Sequence, residues 1–351
     1  MSLDPNRSTP VANWPRPLAF VFSGGGAYGA TQVGMIRALV QAGITPDMVV
    51  GTSVGALNGA MFAAEPILAV DRLTEVWTSM NAHGVFGGRS KFGAVLSAMR
   101  NGMMRNSPGL VSPAALQSLI ESKLPAENIE QLHIKTAVVA TDAQVGQPKL
   151  LTRGPIAPAL LASAAIPGVF PPVKIDGCFY VDGGVSANVP IRQAVAFGAK
   201  SIVVLDANPA TMPGTVAQST VGSVLQASMI MLRNQRADAV DDLVGRHPIL
   251  HLPQSTPASQ SSFDFEDSAA LIEAGYLKTR EFLSRLPLLI ETSPPGSDDA
   301  GPTGAGSNAA GAVSSNPSAG GGGQPNGATP PPGQPPHSAW PPPPDSSIKL
   351  Q

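Results

Sequence analysis

Two glycine-rich turns, each placed directly after a short apolar run, constrain the fold of this chain more than any other feature. The first run, 18–22, ends at Ser23-Gly24-Gly25-Gly26-Ala27-Tyr28-Gly29, and the second, 48–50, ends at Gly51-Thr52-Ser53-Val54-Gly55. A stretch with helical character follows each turn. Short apolar runs that end at glycines are typical of buried parallel strands. The sequence therefore predicts two consecutive strand-turn-helix units.

The rest of the chain continues this alternation. Strands are predicted over 134–141, on both sides of Asp176-Gly177, and over 201–206 and 249–252, and helices over 70–80, from Pro113, near Pro190 and over 268–285. Asp176-Gly177 lies between two alternating runs and predicts a hairpin turn. Ser112 before Pro113 predicts a helix with serine at the N-cap and proline at the first helical position. This order predicts an α/β fold with a largely parallel sheet and helices on both faces.

The composition changes sharply near residue 293. From there the chain is dominated by Pro, Gly, Ser and Ala, with runs of glycine at 320–323 and of proline at 341–344. Such a segment has little apolar surface to offset the entropy of ordering. We therefore expect an N-terminal extension over 1–16, one globular domain over 17–292, and a disordered tail over 293–351 whose partner the sequence does not identify.

Charge and cysteine content exclude several classes of protein. The formal net charge is only -2, with 13% charged residues, so no nucleic-acid partner is expected. Cys178 is the only cysteine, and no cluster has metal-ligand spacing, so neither an intramolecular disulfide nor a metal site nor another cofactor is expected. Residues 1–16 lack a long apolar core, and no later run approaches the roughly 20 apolar residues of a membrane span. We expect a cytoplasmic protein without a signal peptide or a transmembrane helix.

The second turn has the pattern of a nucleophile elbow. In G-x-S-x-G the serine lies on a sharp turn between a strand and a helix, and Gly51 and Gly55 supply the small neighbours that such a turn needs. Ser53 is therefore the candidate nucleophile. Acyl transfer also needs donors for the oxyanion, and the backbone N–H groups of Gly24, Gly25 and Gly26 are candidates because they precede a helix N-terminus.

The base that would activate Ser53 decides the class of enzyme. An α/β-hydrolase would place a histidine after the serine, but His83, His133, His247, His251 and His337 have no supporting local pattern. That fold also needs several strands before its elbow, and only one precedes this one. Asp182 is the better candidate because Val181-Asp182-Gly183-Gly184 ends an apolar strand. Partial burial would raise the pKa of its carboxyl toward the operating pH.

These motifs together resemble the patatin-like phospholipases, whose order of motifs the chain follows. The matches are the glycine turn up to Gly29, the elbow at Ser53, the segment Ala162-Ser163-Ala164-Ala165-Ile166-Pro167-Gly168-Val169-Phe170-Pro171-Pro172, and Asp182-Gly183-Gly184. The resemblance covers 18–207 strongly, and 265–276 is similar to the closing helix of bacterial members. The prolines of the third motif predict a rigid wall that places the Asp182 hairpin opposite Ser53.

The resemblance implies a patatin-like three-layer α/β/α sandwich and a lipid acyl hydrolase without a metal or other cofactor. It implies Ser53 as the nucleophile, Asp182 as the base, and an oxyanion hole at Gly24, Gly25 and Gly26, while Gly29, Gly51, Gly55, Gly183 and Gly184 belong to the motifs. The implied substrates are acyl esters of phospholipids or lysophospholipids, with acylglycerols and thioesters as alternatives.

Two other functions stay open at this level. Tyr28 stands where the family usually carries Arg or Lys, which leaves a catalytically weakened lipid-binding or scaffolding protein as an alternative. Gly24 to Gly29 also satisfies G-x-G-x-x-G, the dinucleotide fingerprint of a Rossmann oxidoreductase. That fingerprint needs an acidic residue at the end of the second strand, and Asp47 precedes the strand instead.

Residues 89–105 are a candidate for membrane contact. Their charged residues are all basic, and Phe92, Leu96 and Met103 belong to an apolar set with helical spacing. A basic amphipathic helix of this kind lies on anionic lipid surfaces, so we expect transient contact with a membrane surface. The alternative is a surface helix whose apolar side packs on the core.

Overall fold

The computed structural model describes residues 10–79, 113–210, 243, 246–257 and 265–291. The strands are β1 Leu18–Phe22, β2 Met48–Thr52, β3 Lys135–Asp142, β4 Pro148–Leu151, β5 Val173–Ile175, β6 Cys178–Asp182, β7 Ser201–Leu205 and β8 Ile249–His251. The helices are α1 Ala30–Gln41, α2 Val54–Ala64, α3 Ala69–Ser79, α4 Ala114–Lys123, α5 Ile156–Ser163, α6 Gly184–Ala187, α7 Ile191–Ala196 and α8 Ser268–Glu291. Short 3₁₀ turns lie at Pro10–Asn13, Gly26–Gly29 and Ile129–Gln131.

The chain divides into two compact units, Met1–Pro294 and Pro295–Gln351, and every described residue belongs to the first. The tail expected over 293–351 and the basic segment expected over 89–105 both lie outside the described residues. Within the described ranges, no helix combines the length and the apolar character needed to cross a membrane.

The strands form one sheet in the order β5-β6-β3-β2-β1-β7-β8, and β4 also pairs with β3. Pairing is parallel from β8 through β7, β1 and β2 to β3, and antiparallel between β3 and both β4 and β6, and between β5 and β6. The prediction of a largely parallel sheet is confirmed. The antiparallel part includes the hairpin β5-β6 predicted at Asp176-Gly177, where both residues have positive φ, 49° and 86°.

Helices cover both faces of this sheet. In β1, Leu18, Phe20 and Phe22 point into a large core that includes residues of α1, α2, α3, α4, α5 and α8, whereas Ala19 and Val21 belong to a second core with residues of α6 and α7. Strands buried on both faces read as continuous apolar runs because each face meets a helical layer. The predicted three-layer α/β/α sandwich is confirmed.

The register of β3 brings two distant parts of the chain together. Val139 of β3 pairs with Thr52 of β2 and also with β4, so β2 and β4 lie on opposite edges of β3. Ala140 pairs with β4 and with Asp182 of β6, so β6 lies on the same edge as β2. Thr52 and Asp182 are therefore partners of consecutive β3 residues. The residue that follows Thr52 leaves the sheet directly beside Asp182.

Helices α1 and α8 pack in backbone contact. A Cβ atom on Gly34 of α1 would lie 2.0 Å from the carbonyl oxygen of Ile272, and one on Gly275 of α8 would lie 2.3 Å from that of Thr31. Only glycine fits at both positions, so the two helices approach more closely than side chains would allow. This contact fixes α8 against the helix that follows the first glycine turn.

Several details differ from the sequence predictions. Helix α4 begins at Ala114, Pro113 before it has helical backbone angles, and the predicted N-cap Ser112 lies outside the described residues. Strand β4 and helix α5 were not predicted. β4 is a short edge strand without alternation, and α5 is a nearly all-apolar segment beside prolines, so neither carries a clear periodic signal.

Candidate active site

Ser53 occupies a strained turn between β2 and α2. Its φ of 54° and ψ of -127° lie in a region that residues other than glycine rarely adopt, and its side chain is buried. The neighbouring glycines are required by space: a Cβ on Gly51 would lie 2.6 Å from the Gly55 carbonyl oxygen, and one on Gly55 would lie 2.4 Å from that of Ser23. The turn thus holds the Ser53 hydroxyl at the carboxyl edge of the sheet.

The Ser53 hydroxyl bonds directly to Asp182. Ser53 Oγ donates a hydrogen bond of 2.7 Å to Asp182 Oδ2, and the Gly184 N–H donates one of 2.7 Å to Asp182 Oδ1. Burial raises the pKa of the Asp182 carboxyl to about 6, although the hydrogen bonds from Ser53 and Gly184 act in the opposite direction. Such a carboxylate is mostly ionised at neutral pH and still basic enough to accept a proton from a neighbouring hydroxyl.

Residues 163–165 form hydrogen bonds with the backbone of both Ser53 and Asp182. Ser163 Oγ accepts the Ser53 N–H at 2.8 Å and donates to the Val139 carbonyl oxygen at 2.6 Å. Two residues on, the Ala165 carbonyl oxygen accepts the Asp182 N–H at 2.9 Å. The third motif therefore does more than form a wall, because its serine hydroxyl fixes the backbone of Ser53. Sequence reasoning missed this role, since a serine between alanines gives no signal of its own.

The glycine turn lies against Ser53 but differs in part from the expected donor set. The Gly24 N–H donates to the Asn188 carbonyl oxygen at 3.0 Å, so it is not available to an oxyanion. Among the described residues, the N–H groups of Gly25 and Gly26 make no hydrogen bond. A Cβ on Gly24 would lie 3.3 Å from Ser53 Cβ, which places the turn beside the hydroxyl. The donors left for an oxyanion are those of Gly25 and Gly26.

A buried polar network behind the turn holds it in place. Gln32 Nε2 donates to the Ser23 carbonyl oxygen at 2.9 Å, and Asn58 Nδ2 donates to Gln32 Oε1 at 2.8 Å and to the Gly29 carbonyl oxygen at 2.9 Å. Trp77 Nε1 donates to Asn58 Oδ1 at 2.9 Å. Buried polar side chains that are fully bonded specify one arrangement of the elements they join. This network ties α1, α2 and α3 to the glycine turn.

An apolar cavity of about 90 Å³ opens beside Ser53 and Gly26. It lies between α2, α3, α4 and α5 and is lined mainly by side chains of the large core: Val54, Leu57, Met61, Val76, Trp77, Leu116, Leu119, Ile120, Leu124, Ala164, Ile166, Phe170 and Phe265. Lys123 also lines it, and its Nζ pairs with Glu75 Oε1 at 3.1 Å. A cavity of this composition accepts an apolar chain rather than a polar group.

None of the histidines that the structure describes contacts Ser53. His133 Nδ1 bonds to the Ala64 carbonyl oxygen, His247 Nδ1 to that of Lys200, and His251 Nε2 lies 3.8 Å from Asp206 Oδ2. His83 and His337 lie outside the described residues. Within the described ranges, the side chain that accepts the hydrogen bond of the Ser53 hydroxyl is Asp182.

The structure does not place an acidic residue where a dinucleotide-binding Rossmann site requires one, at the end of β2. Asp47 lies before β2, where its Oδ2 accepts the Leu18 N–H at 2.6 Å and pairs with Arg16 at 2.9 Å, so it is at the opposite end of the strands from the glycine turn. Tyr28 is buried, and its N–H donates to the Gly25 carbonyl oxygen at 3.2 Å. Over the described ranges, no group of three or more His, Cys, Asp or Glu side chains has the arrangement of a metal site.

Comparison with known proteins identifies the family of this chain. The family model described as "Patatin-like phospholipase" matches residues 20–195, half of the chain. "Patatin-like phospholipase domain-containing protein 7" of Mus musculus is 29% identical over 194 residues, which cover 54% of this chain and 13% of that protein. "Lysophospholipase NTE1" of Mycosarcoma maydis is 26% identical over 196 residues, which cover 54% of this chain and 10% of that protein. The chain therefore spans only a small part of these relatives.

Among solved structures, VipD from Legionella pneumophila is similar with a TM-score of 0.39 and 16% identity, over 77% of this chain and 67% of that one. The matched residues 20–195 include the last three residues of β1, the glycine turn, the elbow, the Ser163 segment and the Asp182 hairpin. The chain belongs to the patatin-like phospholipase family.

Proposed function

We propose that the chain is a serine acyl hydrolase that cleaves carboxylic ester bonds of lipids, of the phospholipase or lysophospholipase type. The single observation that carries this proposal is the hydrogen bond of 2.7 Å between Ser53 Oγ and a buried Asp182 carboxylate beside an apolar cavity. A hydroxyl bonded to a carboxylate of raised pKa is an activated nucleophile. The position beside an apolar cavity supports an acyl chain as the group that this nucleophile meets.

The first half of the reaction forms an acyl-enzyme. Ser53 Oγ attacks the ester carbonyl carbon while its proton passes to Asp182 Oδ2, and the carbonyl electron pair moves onto the oxygen. The N–H groups of Gly25 and Gly26 stabilise this oxyanion, and the helix that follows them adds the positive end of its dipole. When the tetrahedral intermediate collapses, the bond to the leaving alcohol breaks and that alcohol takes the proton from Asp182.

The second half repeats these steps with water. Asp182 accepts a proton from water, the hydroxide oxygen attacks the acyl carbon, and the bond to Ser53 Oγ breaks. Ser53 then recovers the proton from Asp182, and the fatty acid leaves. The same carboxylate serves as base and then as acid in each half, which suits a group with a pKa of about 6.

The substrate class is argued from the cavity. Most of its walls are apolar side chains such as Leu57 and Phe265, so burying an acyl chain there is favourable by about 0.8 kcal/mol for each methylene. The two curated relatives reported above are named as a patatin-like phospholipase domain-containing protein and a lysophospholipase, which supports a glycerophospholipid or lysophospholipid ester. Membrane contact through 89–105 and activity confined to 17–292 remain predictions.

Two variants test the mechanism. Ser53→Ala and Asp182→Asn each abolish hydrolysis of p-nitrophenyl and phospholipid esters, and Ser53→Ala also abolishes labelling by a fluorophosphonate probe. Ser122→Ala and Asp176→Asn serve as controls, because both residues are exposed and neither contacts the dyad. Labelling that persists in a folded Ser53→Ala variant contradicts the proposal. A folded wild-type protein that hydrolyses no ester of either kind favours the lipid-binding alternative.

A third variant tests the cavity. Leu119→Trp places a larger side chain in the cavity, so kcat/KM for a ten-carbon ester falls at least about tenfold relative to that for an acetyl ester, because burial of the longer chain is lost. Gln117→Trp on the exposed face of the same helix leaves this ratio unchanged. An unchanged ratio in a folded Leu119→Trp variant shows that the acyl chain binds elsewhere.

A further inference from the structure

Asn208 contacts the glycine turn and lies three residues after the end of β7. Its Nδ2 donates to the Gly24 carbonyl oxygen at 3.0 Å and to Asp206 Oδ1 at 2.8 Å. The Asn208 backbone N–H also donates to Asp206 Oδ1, at 3.1 Å. Asp206 and Asn208 lie beyond residue 195, where the match to the family model ends.

The carbonyl of Gly24 belongs to the same peptide unit as the N–H of Gly25. In a trans peptide these two groups lie in one plane and point in opposite directions. A hydrogen bond that fixes the Gly24 carbonyl therefore also fixes the direction of the Gly25 N–H. Because Gly24 and Gly25 have no Cβ, little else restricts rotation of this peptide plane, and an external anchor is needed.

Asp206, which holds the Asn208 side chain, is itself fixed by hydrogen bonds. Asp206 is fully buried, and besides the bonds from Asn208 its Oδ2 accepts Gln254 Nε2 at 2.7 Å. On the other side of the turn, the Ala207 N–H donates to Ser23 Oγ at 2.9 Å. A buried side chain whose two oxygens both accept hydrogen bonds is held in one orientation, and so are the donors bonded to it. The dyad mechanism gives Asp206 no step of its own.

We propose that Asn208 is a positioning residue that aims the Gly25 N–H at the oxyanion, and that Asp206 holds Asn208 in place for this purpose. The inference rests on the proposed function, since it assigns Gly25 as an oxyanion donor. It assigns a role in catalysis to the segment after β7, about 155 residues beyond the nucleophile in sequence. Neither side chain lines the apolar cavity beside Ser53.

The test compares wild type with Asn208→Ala and Asn208→Asp on two substrates, an oxoester and the matching thionoester. Both variants remove the donor to the Gly24 carbonyl, and the aspartate keeps the shape of the side chain. Loss of one oxyanion donor lowers kcat about 100-fold to 1000-fold in serine hydrolases, so loss of its alignment is expected to lower kcat on the oxoester about 10-fold to 100-fold. KM stays within about twofold, because the acyl cavity is untouched.

The thionoester separates positioning from general damage. Its sulfur is a weak hydrogen-bond acceptor, so hydrolysis of the thionoester gains little from the Gly25 N–H in any variant. The ratio of oxoester to thionoester rates is therefore expected to fall in both variants. An equal loss on both substrates, or wild-type kcat in a folded variant, overturns the inference. If Asn208→Ala does not fold, the isosteric Asn208→Asp decides by the same ratio.

Failure of this inference is distinct from failure of the proposed function. If Ser53→Ala keeps wild-type turnover, the proposed function is wrong and Gly25 has no oxyanion to bind. If Ser53→Ala is inactive and both Asn208 variants keep the wild-type ratio, only the positioning role is wrong.

Discussion

Asp182→Asn should inactivate the protein and at the same time stabilise its fold at neutral pH. The Asp182 carboxyl is buried, and burial raises its pKa to about 6 from an ordinary value of 3.8. At neutral pH the folded protein must therefore keep a buried charge that the unfolded chain carries in water. Asparagine is neutral and has the same shape, and it can accept the Gly184 N–H and donate to Ser53 Oγ.

The magnitude follows from the two pKa values. They differ by about two, and each pKa unit corresponds to 1.36 kcal/mol, so ionising Asp182 in the folded state costs about 3 kcal/mol above pH 7. For a carboxyl whose pKa is raised on folding, the associated stability is complete below the unfolded value and is lost as the pH rises through the folded value. The advantage of asparagine should thus grow between about pH 3.8 and pH 6 and be constant above pH 7.

Urea unfolding of wild type and Asp182→Asn at a series of pH values measures this difference. The control is Asp176→Asn, which removes an exposed carboxylate from the same hairpin at a positive-φ position that asparagine tolerates. We expect the control to change the free energy of unfolding by less than about 0.5 kcal/mol at every pH. A gain in Asp182→Asn that is absent at pH 8, or equal at pH 4 and pH 8, would refute the electrostatic argument.

Three further predictions concern the rate, the Ser163 hydrogen bond and the helix pair. The kcat/KM of the wild type should rise with pH up to about 6 and level off above, because Asp182 must be ionised to act as base, and a pH profile without this acidic limb contradicts that role. Ser163→Ala leaves the buried Ser53 N–H unpaired and should lower kcat about 10-fold to 100-fold in steady-state assays, whereas Ser122→Ala should not. Gly34→Ala should destabilise the fold by more than about 2 kcal/mol in thermal or urea unfolding, although helix propensity alone favours alanine by about 1 kcal/mol, and a stabilised variant would show that α1 and α8 separate easily.

The sequence was most informative where chemistry requires particular residues at fixed spacing. The elbow at Ser53 needs glycine on both sides for steric reasons, and a hairpin with two positive-φ residues needs a pair such as Asp176-Gly177, so both could be predicted. The buried strands could be predicted because they are covered on both faces. Each of these features could be recognised from a few neighbouring residues, without knowledge of distant contacts.

Contacts between distant residues could not be predicted in this way. Asn208, Ser163 and Gln32 are ordinary polar residues in sequence, and their roles depend on which backbone groups the fold brings to them. The same holds for Gly24, whose N–H was expected to serve an oxyanion but donates to Asn188 instead. A backbone donor is free or occupied only according to its tertiary neighbours, and no spacing rule reports that.

The shared edge of β3 makes the dyad a product of the finished sheet. Ser53 and Asp182 are separated by 129 residues in sequence. They meet only when β2 and β6 pair with consecutive residues along the same edge of β3. Such long-range pairing forms late, since loop-closure entropy opposes it. A chain still folding would expose no competent nucleophile to cellular esters, and the onset of fluorophosphonate labelling during refolding should coincide with the last step of tertiary structure formation. Under the proposed mechanism, the reactivity of Ser53 therefore waits until the sheet is assembled.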